Sequence, residues 1–187
     1  PEKFEKEFKK QDLGCFGCPV HCGHYYSIDE GDYKGESGEG PEYETMAAIG
    51  PKCGVFEMDA TLYMTNLLNR YGLDSIDTGN AIAVLMDLNE KGYIDEGELG
   101  LDLSWGNVDT VIDLIKKIAY KKGIGETLAK GSYEAVKELN IEAKDQVWQI
   151  KGMDNISVDM RALKGASLGY STSTRGLDHL RGMCVPE

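Results

Sequence analysis

Three cysteines fall within one short run, Cys15-Phe16-Gly17-Cys18-Pro19-Val20-His21-Cys22, and this run constrains the chain more than any other feature. Thiolates at such spacing can converge on one face of a tight loop. Gly17 permits a sharp turn, and Pro19 stiffens the chain after the second thiol. Three close thiolates plus one remote ligand is the usual way to hold an iron–sulfur cubane. Zinc is the rival reading, with Cys18, Cys22 and His21 or His24 in a tetrahedral set. Zinc sites more often pair two separate two-ligand knuckles, and no second Cys-x2-Cys occurs. Three buried free thiols would be a purely structural reading, and it fits this density poorly.

The other two of the five cysteines, Cys53 and Cys184, stand alone. A disulfide framework spreads its cysteines to staple distant loops, whereas clustering points to metal in a reducing compartment such as the cytoplasm. For a fourth ligand, spacing leaves Cys53, Cys184 or a cysteine beyond residue 187. The net charge of −12 argues against a nucleic-acid partner, because an acidic surface repels phosphates. No apolar run approaches the roughly 18 residues that span a bilayer. The chain opens without Met and stops at Cys184-Val185-Pro186-Glu187, so it reads as an internal piece of a longer protein.

Helical patterns dominate the rest. Glu2 to Lys10 is charged and partly helical, and residues 27–42, rich in Gly, Asp and Glu, read as a long solvated loop. Glu42 to Gly50 is a short helix candidate. Asp59 is a candidate cap for a helix to Tyr71, with Ala60, Met64, Leu67, Leu68 and Tyr71 on one stripe. Asp74 to Lys91 is apolar around more than half its circumference and belongs in the core. Asn107 caps the clearest helix, whose Val108, Val111, Ile112, Ile115 and Ile118 keep i, i+3, i+4 spacing. Lysines 116–122 suit its C-terminal dipole, and Gly123 stops it. A further helix is expected over Glu126 to Leu139, a short strand over Val147 to Lys151, and mixed helix and loop from Asp159. The fold class is therefore mainly α with few or no strands. A helical domain is expected over residues 1–150 and the start of a second over residues 151–187.

Three segments follow the cysteine run in order: Gly40-Pro41-Glu42-Tyr43-Glu44-Thr45, then Asn69-Arg70-Tyr71-Gly72-Leu73-Asp74-Ser75-Ile76, then Thr172-Ser173-Thr174-Arg175-Gly176-Leu177-Asp178-His179-Leu180. Together with the cysteines they resemble the aldehyde ferredoxin oxidoreductase family. The resemblance covers nearly the whole chain, from about Cys15 to Arg181. It implies the family's second and part of its third helical domain. It also implies a tungsten (or molybdenum) bis-pterin beside a [4Fe-4S] cluster, with Cys15, Cys18 and Cys22 as three cluster ligands. The family's D-x-x-G-L-D motif contacts a pterin, and here it reads Asn69-x-x-Gly72-Leu73-Asp74, with Asn replacing the first acid. The fourth ligand is implied to come from a D-x-x-G-L-C motif downstream. The segment Asp178 to Cys184 imitates that motif only loosely, with one residue too many before Gly182, so the true ligand is expected outside this chain.

The same resemblance implies catalytic roles for Glu44, as a proton-exchanging acid near the metal, and for His179, as an acid–base or substrate-binding group. Arg175 is implied to meet a pterin phosphate with its planar fork. Against these stand plainer readings: a carboxylate satisfying amides at a helix start (Glu42 rather than Glu44), a histidine bonding a loop, and a surface arginine. The implied reaction is oxidation of an aldehyde to a carboxylic acid, with ferredoxin as electron acceptor, and a homo-oligomer is compatible with it. Two alternatives stay open. One is a relative acting on another substrate, such as an aromatic acyl thioester. The other is a helical metal-binding or electron-relay module without its own catalysis.

Overall fold

The computed structural model describes residues 2–139, 147–177 and 179–180, without the side chain of Ala162. Asp178 and Cys184, both named above, lie outside the described residues. Helices make up most of the fold, and the strands are short.

Residues Phe4–Phe8 form a π-helical turn that buries Phe4 and Phe8. Strands β1 (Lys9–Leu13), β2 (Gly23–Ser27) and β3 (Ser37–Glu39) follow as an antiparallel sheet in sequence order. Part of the segment expected to be a solvated loop is thus a structured sheet edge. The reason lies in two residues: Tyr26 and Ile28 are buried with Phe4, Phe8 and Leu62. The Tyr26 hydroxyl donates to Asn66 Oδ1 (2.7 Å) and reaches the Leu62 carbonyl (3.1 Å). Burying this phenol without partners would be costly, so the pairing fixes β2 against the helix that carries Leu62 and Asn66.

That helix is α2 (Met58–Tyr71), reached through α1 (Tyr43–Ile49) and a 3-10 turn (Pro51–Cys53). It starts one residue before Asp59, which instead lies in the first turn, where a carboxylate suits the dipole. It ends at Gly72, in the left-handed region at φ 65°, with the Leu73 amide donating to Leu68 O at 3.0 Å. Helix α3 (Ser75–Glu90) starts at once, capped by Asp74, whose carboxylate accepts from the Asp77 amide at 2.9 Å. After the short α4 (Glu96–Leu99), α5 (Val108–Tyr120) is capped by Asn107, as its pattern predicts. Its last carbonyls are met by Lys121 in the left-handed region, not by Gly123.

The single helix expected from Glu126 to Leu139 is two, α6 (Ile124–Leu128) and α7 (Ser132–Glu138), broken at Gly131 with φ 91°. Strands β4 (Gln149–Ile150) and β5 (Met153–Asp154) form a small hairpin, and α8 (Lys164–Thr172) follows a 3-10 turn at Met160–Ala162. The main core joins α1, α2, α3, α5, α6 and α7 through side chains such as Ile49, Met64, Ile82, Leu85, Leu114 and Ile115. A satellite cluster of Ile156, Met160 and Ala166 packs on Ile76 at the start of α3.

Candidate functional site

The cysteine run is the connection between β1 and β2, since Leu13 pairs with Gly23 across the sheet. The Cys18 amide closes a turn on Cys15 O at 3.0 Å, Gly17 takes φ 72° and His21 takes φ 48°. Cys15 and Cys22 are exposed and Cys18 partly so. Phe16 and Val20 project into solvent, at 108% and 71% exposure. Among the described residues, no three His, Cys, Asp or Glu side chains are grouped closely enough to hold one ion. The fold therefore brings the three thiols onto one loop but not to one point. The donor set still suits an iron–sulfur cluster by its chemistry: three accessible thiols, with no charged residue among positions 15–22. His24 is held within its own hairpin, with Nδ1 2.9 Å from Asp12 Oδ1 and its ring beside Phe4.

Cys53 is a different kind of cysteine. It is fully buried in the main core, its thiol reaches the carbonyls of Ala48 and Gly79, and burial pushes its pKa up to about 12. A thiol so placed resists ionising, and these contacts commit it to packing rather than to ligation.

The first two of the other three segments meet at the N-terminal ends of α1 and α3, while the third lies against the β4–β5 hairpin and reaches α3 through the charge of Arg175 on Asp77. The Gly40 amide donates to His24 O at 2.9 Å, tying the base of the cysteine loop to the entry of α1. Thr45 Oγ1 and Ser75 Oγ share a hydrogen bond at 3.0 Å, linking α1 to α3. Glu44 accepts from the Ser157 amide at 2.7 Å through Oε2, while its Oε1 is sealed from solvent with no hydrogen-bond partner among the described residues. Neither Glu42 nor Glu44 caps α1 through its side chain; Glu44 instead reaches across the fold.

Asn69, Gly72, Leu73 and Asp74 form the α2–α3 turn. Asn69 is exposed and its carbonyl accepts from the Gly72 amide at 3.3 Å. Leu73 packs on the main core, and Asp74 caps α3. A side-chain atom added at Gly72 would meet nothing within 4 Å, so the space beside the turn at this residue is open. Arg175 is exposed, and its charge reaches Asp77 in the first turn of α3. His179 is half-buried.

Three features escaped sequence reasoning. Asp77 has its pKa pushed up to about 6, first by desolvation and then by Asp74 and Asp154, with Arg175 opposing, although the residue as a whole is exposed, which weakens the desolvation. Buried Asp154 accepts from the Ser132 hydroxyl and amide, and burial raises its pKa. Half-buried Lys52 donates to Asn80 Oδ1 at 2.9 Å and Asn155 O at 3.1 Å, and desolvation lowers its pKa. Lys52 stands where three clefts meet. The largest of these, about 670 Å³, runs along residues 155–161 beneath Trp148 and Tyr170. Only the Asp-x-x-Asp spacing of 74 and 77 gave a local signal for any of these groups.

The fold and site define a mainly helical domain with three accessible thiols on one hairpin loop. The family model described as aldehyde ferredoxin oxidoreductase, domains 2 & 3, matches residues 1–187, and the chain belongs to that family. It is 34% identical over 176 residues, 92% of this chain, to a tungsten-containing aldehyde ferredoxin oxidoreductase of Thermococcus kodakarensis, covering 28% of that protein. It is 31% identical to an aliphatic sulfonate oxidoreductase, WOR-like subunit, of Pyrococcus furiosus, covering 91% of this chain and 28% of that one. The chain thus spans less than a third of the length of these relatives. Among solved structures, the BamBC active-site complex of benzoyl coenzyme A reductase, in complex with 1,5 dienoyl-CoA, shares its fold. The TM-score is 0.78 at 23% identity, over 95% of this chain and 26% of the other. Among the described residues no helix is long and apolar enough to cross a membrane.

Proposed function

We propose that this chain is the helical, cluster-bearing part of a tungsten- or molybdenum-pterin enzyme that oxidises aldehydes to carboxylic acids and passes the electrons to ferredoxin. The observation that carries this reading is the exposed hairpin loop of Cys15, Cys18 and Cys22, joined at its base to the entry of α1 through the Gly40–His24 hydrogen bond. When bound, the bis-pterin metal supplies two-electron oxidation of the carbonyl carbon and the [4Fe-4S] cluster supplies a one-electron relay.

The chain's own residues hold and orient. Cys15, Cys18 and Cys22 would hold the cluster as thiolates, with a fourth ligand from outside the described residues. The α2–α3 turn of Asn69, Gly72, Leu73 and Asp74 would hold one pterin, and Arg175 would bind a pterin phosphate. Glu44 Oε1, the carboxylate oxygen without a partner, receives the proton released at the carbonyl centre, and the Ser157 amide fixes the other oxygen. His179 binds the substrate oxygen or exchanges a proton with it.

The test is made on the full-length protein, purified without oxygen. Tungsten or molybdenum with pterin, a reduced-cluster paramagnetic signal and aldehyde-dependent reduction of ferredoxin are expected together. Zinc with no tungsten, molybdenum or pterin overturns the reading. Turnover of acyl thioesters but not aldehydes moves the substrate class and keeps the cofactors.

A further inference from the structure

Glu44 and Ser157 each carry one polar atom that is sealed from solvent and has no hydrogen-bond partner among the described residues, the carboxylate Oε1 and the hydroxyl Oγ. The two residues already touch, because the Ser157 amide donates to Glu44 Oε2 at 2.7 Å. Leaving buried polar atoms unmet is costly, so two of them on touching residues call for a reason. The segment that carries Ser157 is anchored. Asn155 O accepts from Lys52 Nζ at 3.1 Å and from Asn80 Nδ2 at 2.8 Å, and Asn155 Oδ1 accepts from the Tyr170 hydroxyl at 2.6 Å.

The two residues differ in their access to open space. Glu44 lines neither of the two larger clefts, whereas Ser157 lines both, of about 670 Å³ and about 540 Å³. A proton taken up at Glu44 Oε1 has to leave before the next cycle, and this oxygen has no exposed surface of its own. A relay must accept one proton and donate another. The titratable groups whose charges interact with Glu44 are Lys52 and Tyr170. Lys52 is an ammonium with no lone pair, and the Tyr170 hydroxyl proton is committed to Asn155. The neighbouring Thr45 hydroxyl is shared with Ser75. A serine hydroxyl donates and accepts at once, and Ser157 Oγ is uncommitted among the described residues.

We propose that the Ser157 hydroxyl is the proton relay between Glu44 and water in these clefts. In the step, the Glu44 O–H bond breaks as its proton passes to Ser157 Oγ, directly or across one bridging water. The Ser157 O–H proton passes to a water in the cleft and on to buffer. One proton moves and no electron does; Ser157 ends as it began, and Glu44 is again a carboxylate. The relay rests on the reading of Glu44 as the proton acceptor. The Ser157 amide, which other residues would also supply, holds the carboxylate, and the side chain moves the proton. Replacing the side chain alone separates the two roles.

The experiment compares the full-length protein with its Ser157→Ala and Ser157→Thr variants, purified without oxygen, in aldehyde-dependent ferredoxin reduction. Ser157→Ala should leave the first turnover at its original rate, because the amide still holds Glu44. Later turnovers should slow by about tenfold or more, so that a burst appears. The solvent deuterium effect on the slow phase should rise, and Ser157→Thr, which keeps a hydroxyl, should restore the steady rate. A Ser157→Ala protein that turns over steadily at the original rate overturns the relay. So does a first turnover slowed as much as the later ones, which marks a purely positional role. A crystal structure of the full-length protein gives a reading that needs no activity. Ser157 Oγ should bond Glu44 Oε1 directly or through one water, and an Oγ bonded only to other groups overturns the proposal. If the protein turns over no aldehyde, the proposed activity fails, and this bond alone decides whether the link from Glu44 to the clefts stands.

Discussion

Asp77 is a carboxylate in the first turn of α3, where the helix dipole favours its charge, yet its pKa is pushed up to about 6. Desolvation and the nearby Asp74 and Asp154 outweigh the dipole and Arg175. The folded value exceeds the ordinary 3.8, so the native state holds this proton more tightly than the unfolded chain does. The stability it contributes is complete below about pH 4 and is lost as pH rises through about 6. The gap corresponds to about 3 kcal/mol at most, and solvent around this exposed residue screens it to about 1 kcal/mol. Asp77→Asn, which stays neutral, should therefore stabilise the protein by about 1 kcal/mol at pH 7.5. The gain should halve near pH 5 and be nearly gone at pH 4. Denaturant titrations at the three pH values check this, and a gain that does not change with pH rejects it. Residues of this kind are poorly legible in sequence. Asp74 and Asp77 are adjacent on the helix, but Asp154 and Arg175 come from distant positions. Lys52 is a stronger case, since the partners that define it lie 28 and 103 residues away.

At the scale of elements, what could be read was what is encoded locally. Helix α5 carries its cap, its stripe and its terminal lysines within one window, and it forms where the pattern puts it. Helix α3 was legible as a buried helix for the same reason. The sheet around the cysteines was not, because β2 and β3 lack alternating polarity. They are fixed by Tyr26 docking on α2 instead. Gly131 broke a helix that composition alone would continue. The packing of α1 on α3 depends on another glycine, Gly79. A Cβ built there would lie 2.4 Å from the Ala48 carbonyl oxygen and 2.7 Å from its carbon, and backbone cannot rotate away as a side chain can. Gly79→Ala gains up to about 1 kcal/mol of helix propensity and costs about 1–3 kcal/mol of overpacking. The clash should win, lowering stability by about 1–2 kcal/mol. Since α1 carries Glu44, the Glu44–Ser157 bond should also weaken, seen as faster amide exchange at Ser157. An unchanged melting temperature with unchanged exchange would show that the two helices are not held this closely.

Across the whole molecule, the cysteines among the described residues divide into two populations by their surroundings, and under the proposed function this division separates holding metal from holding the fold. Cys15, Cys18 and Cys22 lie on a solvent-facing connection and contribute nothing to any apolar cluster among the described residues. Cys53 lies at 0% exposure among Ile49, Val55 and Ala81. Family membership alone does not divide them, because it assigns a domain and not the duty of each thiol. Their surroundings do. Serine at any of the three loop positions should change apo-protein stability by less than about 0.5 kcal/mol, as exposed substitutions do. In the full-length protein the same changes should remove most of the cluster iron and the reduced-cluster signal. Cys53→Ala should do the reverse, costing about 1–2 kcal/mol through the cavity it leaves while iron per protein stays as before. Iron analysis beside denaturant titration of the four variants reads both quantities at once. Iron lost on Cys53→Ala in protein that remains folded would return that thiol to the ligand set. Iron retained in all three loop variants would take the cluster away from the hairpin, and with it the observation on which the proposed activity stands.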